Sequence, residues 1–345
     1  MRIATYNVEW FHALFDDDGR LLNDAAWSAR HDVTREDQIA ALAHVFRSLD
    51  ADAILVVEAP DTSRHRDGTV ALESFAAHAG LRARKALIGF ANTTQQELML
   101  LYDPDIIGAR HDPQRATSGK GGANGAPRFD GAFRIDLDID ATQDVVTFSK
   151  PPLEAALETP LGPLRLIGVH VKSKAPHGAN TPDEVMRIAI ANRRKQLAQC
   201  IWLRRRVETH LAAGEDVIVL GDLNDGPGLD EYEKLFGRSG VEILMGLDAP
   251  RDLRLYDPHA DRALQSRLAA QSSTARFFIE EEDRYLSALL DYIMVSPGLR
   301  AHAGSWRIWH PFEDPGCWRD ARLRDALLTA SDHFPVTLDL DATPS

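Results

Sequence analysis

The chain has 345 residues, 44% hydrophobic and 26% charged, the balance of a globular protein. Its 52 acidic residues outnumber 39 basic ones, and the net charge of −13 disfavours gripping nucleic acid by long-range attraction alone while suiting a carboxylate-held hard cation. No apolar run approaches the ~18 residues of a membrane span, and Cys200 and Cys317 have no CxxC spacing, so no zinc site is expected.

Met1-Arg2 leads straight into Ile3-Ala4-Thr5-Tyr6-Asn7-Val8, leaving no room for a signal peptide, so a cytoplasmic protein is expected. Residues 2–10 alternate as a strand, with Ile3, Thr5, Asn7 and Glu9 on one side. The run Asp16-Asp17-Asp18-Gly19 lacks the spacing and closing Glu of a calcium loop and is a solvated turn. Ile39, Leu42, Phe46 and Leu49 predict a helix over 35–49, capped by Thr34. Ala53–Val57 forms a buried strand that delivers Glu58 at its end, as either a cap or a ligand. A short helix over 72–79 and a strand over 97–102 follow. Residues 110–131 combine five glycines with Arg110, Arg115, Lys120 and Arg128. That composition predicts a mobile loop able to fold over an anionic substrate, although it does not match the phosphate loop GxxxxGK[ST].

In the strand over 164–173, His170, Lys172 and Lys174 share one side. One such histidine is more often structural than catalytic, but the lysines argue for an anion-facing edge. The helix over 184–213 projects Arg193 from its apolar face, where it either meets an acid or a phosphate or snorkels to water. Val217-Ile218-Val219-Leu220 is a strand buried on both faces, followed by Gly221-Asp222-Leu223-Asn224-Asp225. Asp222 and Asn224 point the same way in an extended chain and can hold a water or a metal ion; the same residues also make a turn. Residues 231–236 are read as helix and Glu280–Asp283 as a solvated acidic turn. The strand over 289–295 contains Asp291, a carboxylate needing a partner because an unpaired buried charge is costly. Ser331-Asp332-His333 precedes the last strand, 335–340, and Asp291 with His333 is the natural acid–imidazole pair. Alternating strands and helices, with no repeat or dividing linker, fit one α/β layered domain over 1–345.

Together these words resemble the endonuclease/exonuclease/phosphatase superfamily, which includes pancreatic deoxyribonuclease, abasic-site endonucleases and bacterial sphingomyelinases. They are Tyr6-Asn7-Val8, the strand ending at Glu58, Val169-His170-Val171-Lys172-Ser173, Gly221-Asp222-Leu223-Asn224-Asp225, Leu290-Asp291-Tyr292 and Ser331-Asp332-His333-Phe334-Pro335, in the family's order. The resemblance implies a four-layer α/β sandwich, two mostly antiparallel β-sheets face to face with helices outside. It implies Asn7, Glu58 and Asp332 on the metal side, with Mg2+ the expected ion and Mn2+ or Ca2+ as alternatives. Asp222 would activate the attacking water, Asn224 would fix its position, and His170 and His333 would donate to phosphoryl oxygens, with Asp291 holding His333. Lys172 and Arg193 are further candidates for substrate phosphate. Many members carry Gln before the metal-binding Glu; here Val57 stands there, which puts a supporting hydrogen bond in doubt.

The expected activity is metal-dependent hydrolysis of a phosphodiester or phosphomonoester by an activated water. The acidic charge favours a small or lipid-derived substrate. A nuclease of the same mechanism, acting on DNA or RNA along a local track of Lys172, Lys174, Arg193 and the basic loop, is the alternative. A non-catalytic scaffold would be expected to lack one of these Asp or His residues, and all are present.

Overall fold

A computed structural model describes residues 1–114, 126–136, 144–176, 178–179, 181–226, 237–265, 272–279 and 283–341. Two large sheets carry the fold. The first contains β1 (Arg2–Asn7), β2 (Ala53–Ala59), β3 (Lys85–Ile88), β4 (Glu97–Tyr102), β14 (Ala303–Ile308) and β15 (Val336–Leu340), in the order β14-β15-β1-β2-β4-β3. The second contains β5 (Gly108–His111), β8 (Leu153–Thr159), β9 (Gly162–His170), β10 (Val217–Asp222) and β13 (Asp291–Val295), in the order β13-β10-β9-β8-β5. Two small ribbons, β6 (Phe133–Ile135) with β7 (Asp144–Val146) and β11 (Ala275–Ile279) with β12 (Arg284–Ala288), stand apart.

Each large sheet is antiparallel except for one pair: β1 with β2, and β9 with β10. A parallel pair needs a crossover, which is usually a helix. Here α1 (Arg35–Leu49) joins the first pair and α3 (Pro182–Ala212) the second. α1 starts where the sequence predicts, and α3 starts at Pro182, two residues before the expected 184. Thr34 Oγ1 accepts from Asp37 N, and Thr181 caps α3 with Pro182 in its first turn.

Period-two alternation sorts the first sheet's side chains into two cores. Ile3, Ala53, Leu55 and Val57 face the second sheet, while Ala4, Tyr6, Ile54 and Val56 pack under α1, α2 (Gly68–Ala79) and the C-terminal helix Ala321–Ala330. Trp202, Leu203 and Val207 of α3 are buried in the same apolar cluster as the second sheet. The result is the four-layer α/β sandwich expected from the resemblance.

Glycine lets the layers close behind the parallel pairs. A Cβ on Gly168 would lie 2.4 Å from Leu55 Cδ1, and one on Gly221 only 2.1 Å from Val169 O. Leu55 of β2 therefore seats between the glycines of β9 and β10. Gly221 does not end its strand: at φ +128° it stays paired opposite Tyr292 and carries Asp222 to the strand's last position.

Several expectations shift. The first strand stops at Asn7, where the chain turns through Trp10 at φ +59° into the short turn Phe11–Leu14. Helix 231–236 lies outside the described residues, as do 115–125 of the glycine-rich loop and most of the acidic turn. The described end of that loop is packed: Phe129 is fully buried, and Arg206 donates to Ala126 O and Pro127 O. Arg110 and Arg128 pair with Asp112 and Asp130 rather than reaching over a site. No helix among the described residues is long and apolar enough to cross a membrane.

Candidate active site

The C-terminal ends of both parallel pairs meet at one edge of the sandwich. Asn7 ends β1, Glu58 lies at the end of β2, His170 ends β9 and Asp222 ends β10. Antiparallel neighbours begin where those strands end, so their first residues arrive at the same edge. Asp291 opens β13 directly opposite Asp222, and Asp222 is in register with His170. Asp332 and His333 come just before β15.

Hydrogen bonds tie this edge together. Asn7 Nδ2 donates to Asp222 Oδ2 at 3.0 Å. Asn224, held at φ +48°, donates its backbone N–H to Asp222 Oδ1 at 2.7 Å and its side-chain amide to Val171 O at 3.0 Å. Asn224 therefore both makes the turn and fixes the acid. His170 Nε2 lies 3.7 Å from Asp222 and 3.9 Å from Glu58, bridging the two halves. His333 Nδ1 meets Asp291 Oδ2 at 2.8 Å, the pair expected from the sequence.

Burial and neighbouring charge set the protonation. Burial pushes the Glu58 carboxyl up to about 7, against the pull of Lys150. Burial, with Asp291 close by, likewise raises Asp222 to about 7. Burial and the adjacent Lys150 push His170 well below the ordinary imidazole range, which favours its neutral form. Burial works against charge on His333 too, but the hydrogen-bonded Asp291, helped by Asp332 and Asp222, outweighs it and raises His333 well above that range. The two imidazoles are thus pushed in opposite directions, His333 toward the cation and His170 toward the neutral ring.

Two residues at this edge escaped the sequence reading. Lys150 Nζ lies 3.2 and 3.3 Å from the two ring nitrogens of His170. Gln96 Nε2 donates to Glu58 Oε2 at 2.7 Å. The missing Gln beside Glu58 is therefore replaced from another strand, while Val57 turns into the inter-sheet core. Both residues precede strands antiparallel to a site strand, Lys150 before β8 and Gln96 before β4. The signal was topological, not local: Lys150-Pro151-Pro152 reads in sequence as an ordinary strand entry.

Arg193 is a correction. It is 1% exposed, its Nη1 bonded to Asp225 Oδ1 at 2.7 Å and to Gln196 Oε1 at 2.9 Å. Lys174 pairs with the same carboxylate at 2.7 Å. These cations brace the turn beneath Asn224. Lys172 is half-buried, with no ion-pair partner among the described residues, and remains a candidate for phosphate.

The donor set fits a hard cation. Asn7 Oδ1 is buried with no hydrogen-bond partner, a state that costs about 1–3 kcal/mol if nothing satisfies it. Near Glu58 stands Asp332, whose carboxylate has no hydrogen bond among the described residues and whose charge reaches both Glu58 and His333. Amide and carboxylate oxygens suit magnesium, manganese or calcium. Asp222, Asp291 and His333 also bring ligand atoms within 4.8 Å of one another. An imidazolium has no lone pair to give a metal, however, so the oxygen set is the better fit.

An α/β sandwich with an acid–amide–imidazole cluster where its two parallel pairs end defines a class of hydrolase site. The chain belongs to the Endonuclease/Exonuclease/phosphatase family, whose sequence profile matches residues 4–333, and it is a hydrolase of phosphoester bonds in a family generally dependent on divalent metal. Among solved structures it is similar to the 3'-5' exonuclease NExo from Neisseria meningitidis, at 14% identity and TM-score 0.50 over 99% of this chain and 100% of that one. It is also similar to truncated TDP2 from Caenorhabditis elegans, at 14% identity and TM-score 0.51 over 99% and 97%. Likenesses at this identity speak to the fold alone. No curated protein matches the chain in sequence.

Proposed function

We propose that the protein hydrolyses a phosphodiester or phosphomonoester by in-line attack of water, with a divalent cation held by Asn7, Glu58 and Asp332. The observation that carries this reading is the buried, unpartnered Asn7 Oδ1 beside two carboxylates, opposite an Asp222 already fixed by three donors. The cation, when bound, would act as a Lewis acid toward the phosphoryl oxygens and the leaving group.

This chain's own residues account for the rest. Asp222, its carboxyl pushed to about 7, accepts the proton of the attacking water near neutral pH. Asn7 and Asn224 stop that carboxylate from rotating, so its free lone pairs keep one direction. His333, kept charged by Asp291, donates its other N–H to a phosphoryl oxygen, where negative charge grows in the transition state. His170 donates a neutral N–H from the opposite side, with Lys150 behind it as a second positive charge.

The charge argument for a small or lipid-derived ester averages over the whole surface. Substrate class depends instead on what lies beside the site.

Hydrolysis of bis-p-nitrophenyl phosphate with and without Mg2+ tests the reading. The wild type should turn it over only with metal, and Asp222→Asn should lose on the order of 10²–10⁴-fold in kcat, the usual worth of a general base. Equal rates for wild type and Asp222→Asn would refute the assignment.

A further inference from the structure

The β11–β12 ribbon is joined to the site at its base. Ala275 bridges to His333, and Arg276 N donates to Asp332 O at 2.8 Å. Alternation gives the ribbon two faces. Ala275, Phe277 and Ala288 turn inward, with the Phe277 ring 5.9 Å from His333. Arg276 and Phe278 turn outward, Phe278 pairing across the strands with Tyr285.

The outward face continues into a stripe. Phe278 and Tyr285 have ring centroids 5.1 Å apart. The Arg276 guanidinium lies 3.5 Å over Tyr285 and 5.4 Å from Phe312. Phe312 is 6.2 Å from Trp318, over which Arg324 sits at 5.2 Å. All four rings are open to solvent: Phe278 48%, Tyr285 53%, Phe312 43% and Trp318 53% exposed. Single exposed apolar side chains need no explanation, but a contiguous row leading from a catalytic edge does.

We infer that this stripe is a stacking track for the bases of a single-stranded nucleic acid whose backbone enters the site at His333. The inference rests on the phosphoester reading above and names its substrate class. Exposed rings offer faces to any unpaired base, and interleaved guanidinium groups offer charge to the phosphates between them. Arg276 and Arg324 place two guanidinium groups along the row. Paired bases keep their faces inside the duplex, so the track selects single strands or unpaired ends.

The test pairs binding with chemistry. Anisotropy of a fluorescein-labelled oligothymidylate, measured in EDTA so that nothing is cleaved, reads the track. Bis-p-nitrophenyl phosphate turnover with Mg2+ reads the site and reports that each variant is folded. Phe278→Ala, Tyr285→Ala and Trp318→Ala should each weaken oligonucleotide binding on the order of tenfold, steeply salt-dependent in the wild type, with small-substrate turnover unchanged. Tyr285→Trp should restore binding. Variants that bind the oligonucleotide as tightly as the wild type would overturn the inference. So would loss of binding to phosphatidylserine vesicles with oligonucleotide binding intact, which is the membrane outcome. A wild type that turns over the small ester but binds no oligonucleotide refutes the track alone; one that turns over neither refutes the phosphoester reading beneath it.

Discussion

His170 and His333 are equally buried, at 7% exposure, and stand in one cluster, yet their surroundings push them toward opposite protonation states. Desolvation drives both toward the neutral form. The difference lies in the neighbours: His333 has the Asp291 carboxylate at 2.8 Å, whereas His170 has the Lys150 ammonium at 3.2 Å. A buried imidazole therefore takes the charge its partner dictates. One edge of the sandwich thereby supplies a fixed cation on one side and a neutral donor on the other.

Removing the partner that charges His333 should cost most. Asp291→Asn leaves burial opposed only by the more weakly acting Asp332 and Asp222, so the imidazolium should be lost at a lower pH than in the wild type. We expect kcat on bis-p-nitrophenyl phosphate to fall about 10²-fold at pH 7.5, the scale of one lost transition-state donor. Part of that loss should be regained at pH 5.5, which a pH–rate profile checks.

The two carboxyls near 7 make a second prediction. Glu58, the one of them that would hold the cation, carries near pH 7 a proton that a cation must displace, so metal affinity should be full above pH 7 and fall below it. The Mg2+ concentration at half-maximal rate should rise roughly tenfold per pH unit below 7 if one proton is displaced. A half-saturation constant flat from pH 6 to 8 would contradict it.

Smaller effects sharpen the contrast. Lys150→Met removes a charge that depresses both His170 and Glu58, so both should titrate higher. At pH 6.5 the Mg2+ requirement should grow several-fold, as expected for one charge at partly screened range. Gln96→Ala removes one hydrogen bond from Glu58 and should raise the Mg2+ requirement about 2–10-fold, the worth of a single bond, while Gln96→Glu should raise it further by like-charge repulsion.

What could be read from the chain follows from this geometry. Asn7, Glu58, His170 and Asp222 interrupt or terminate apolar strands, and a polar group at that position is visible in a single segment. Asp291 and His333 were legible as a pair because each needs the other. Lys150 and Gln96 precede their strands in unremarkable turns, and only the antiparallel pairing of β8 with β9 and β4 with β2 brings them in. Arg193 was left open in sequence between an acid, a phosphate and water, for the converse reason. Its place on the apolar face of α3 was correct, but only the fold shows that Asp225 waits beneath it. The aromatic stripe joins residues 278, 285, 312 and 318, and no local pattern connects them.

The most direct measurement is the ring 15N chemical shift of His170 and His333 in the metal-free protein at pH 7, assigned by single His→Asn replacement. The account predicts one imidazolium, lost from the spectrum in His333→Asn, and one neutral ring, lost in His170→Asn. Two neutral rings, or the charge on His170, would contradict it.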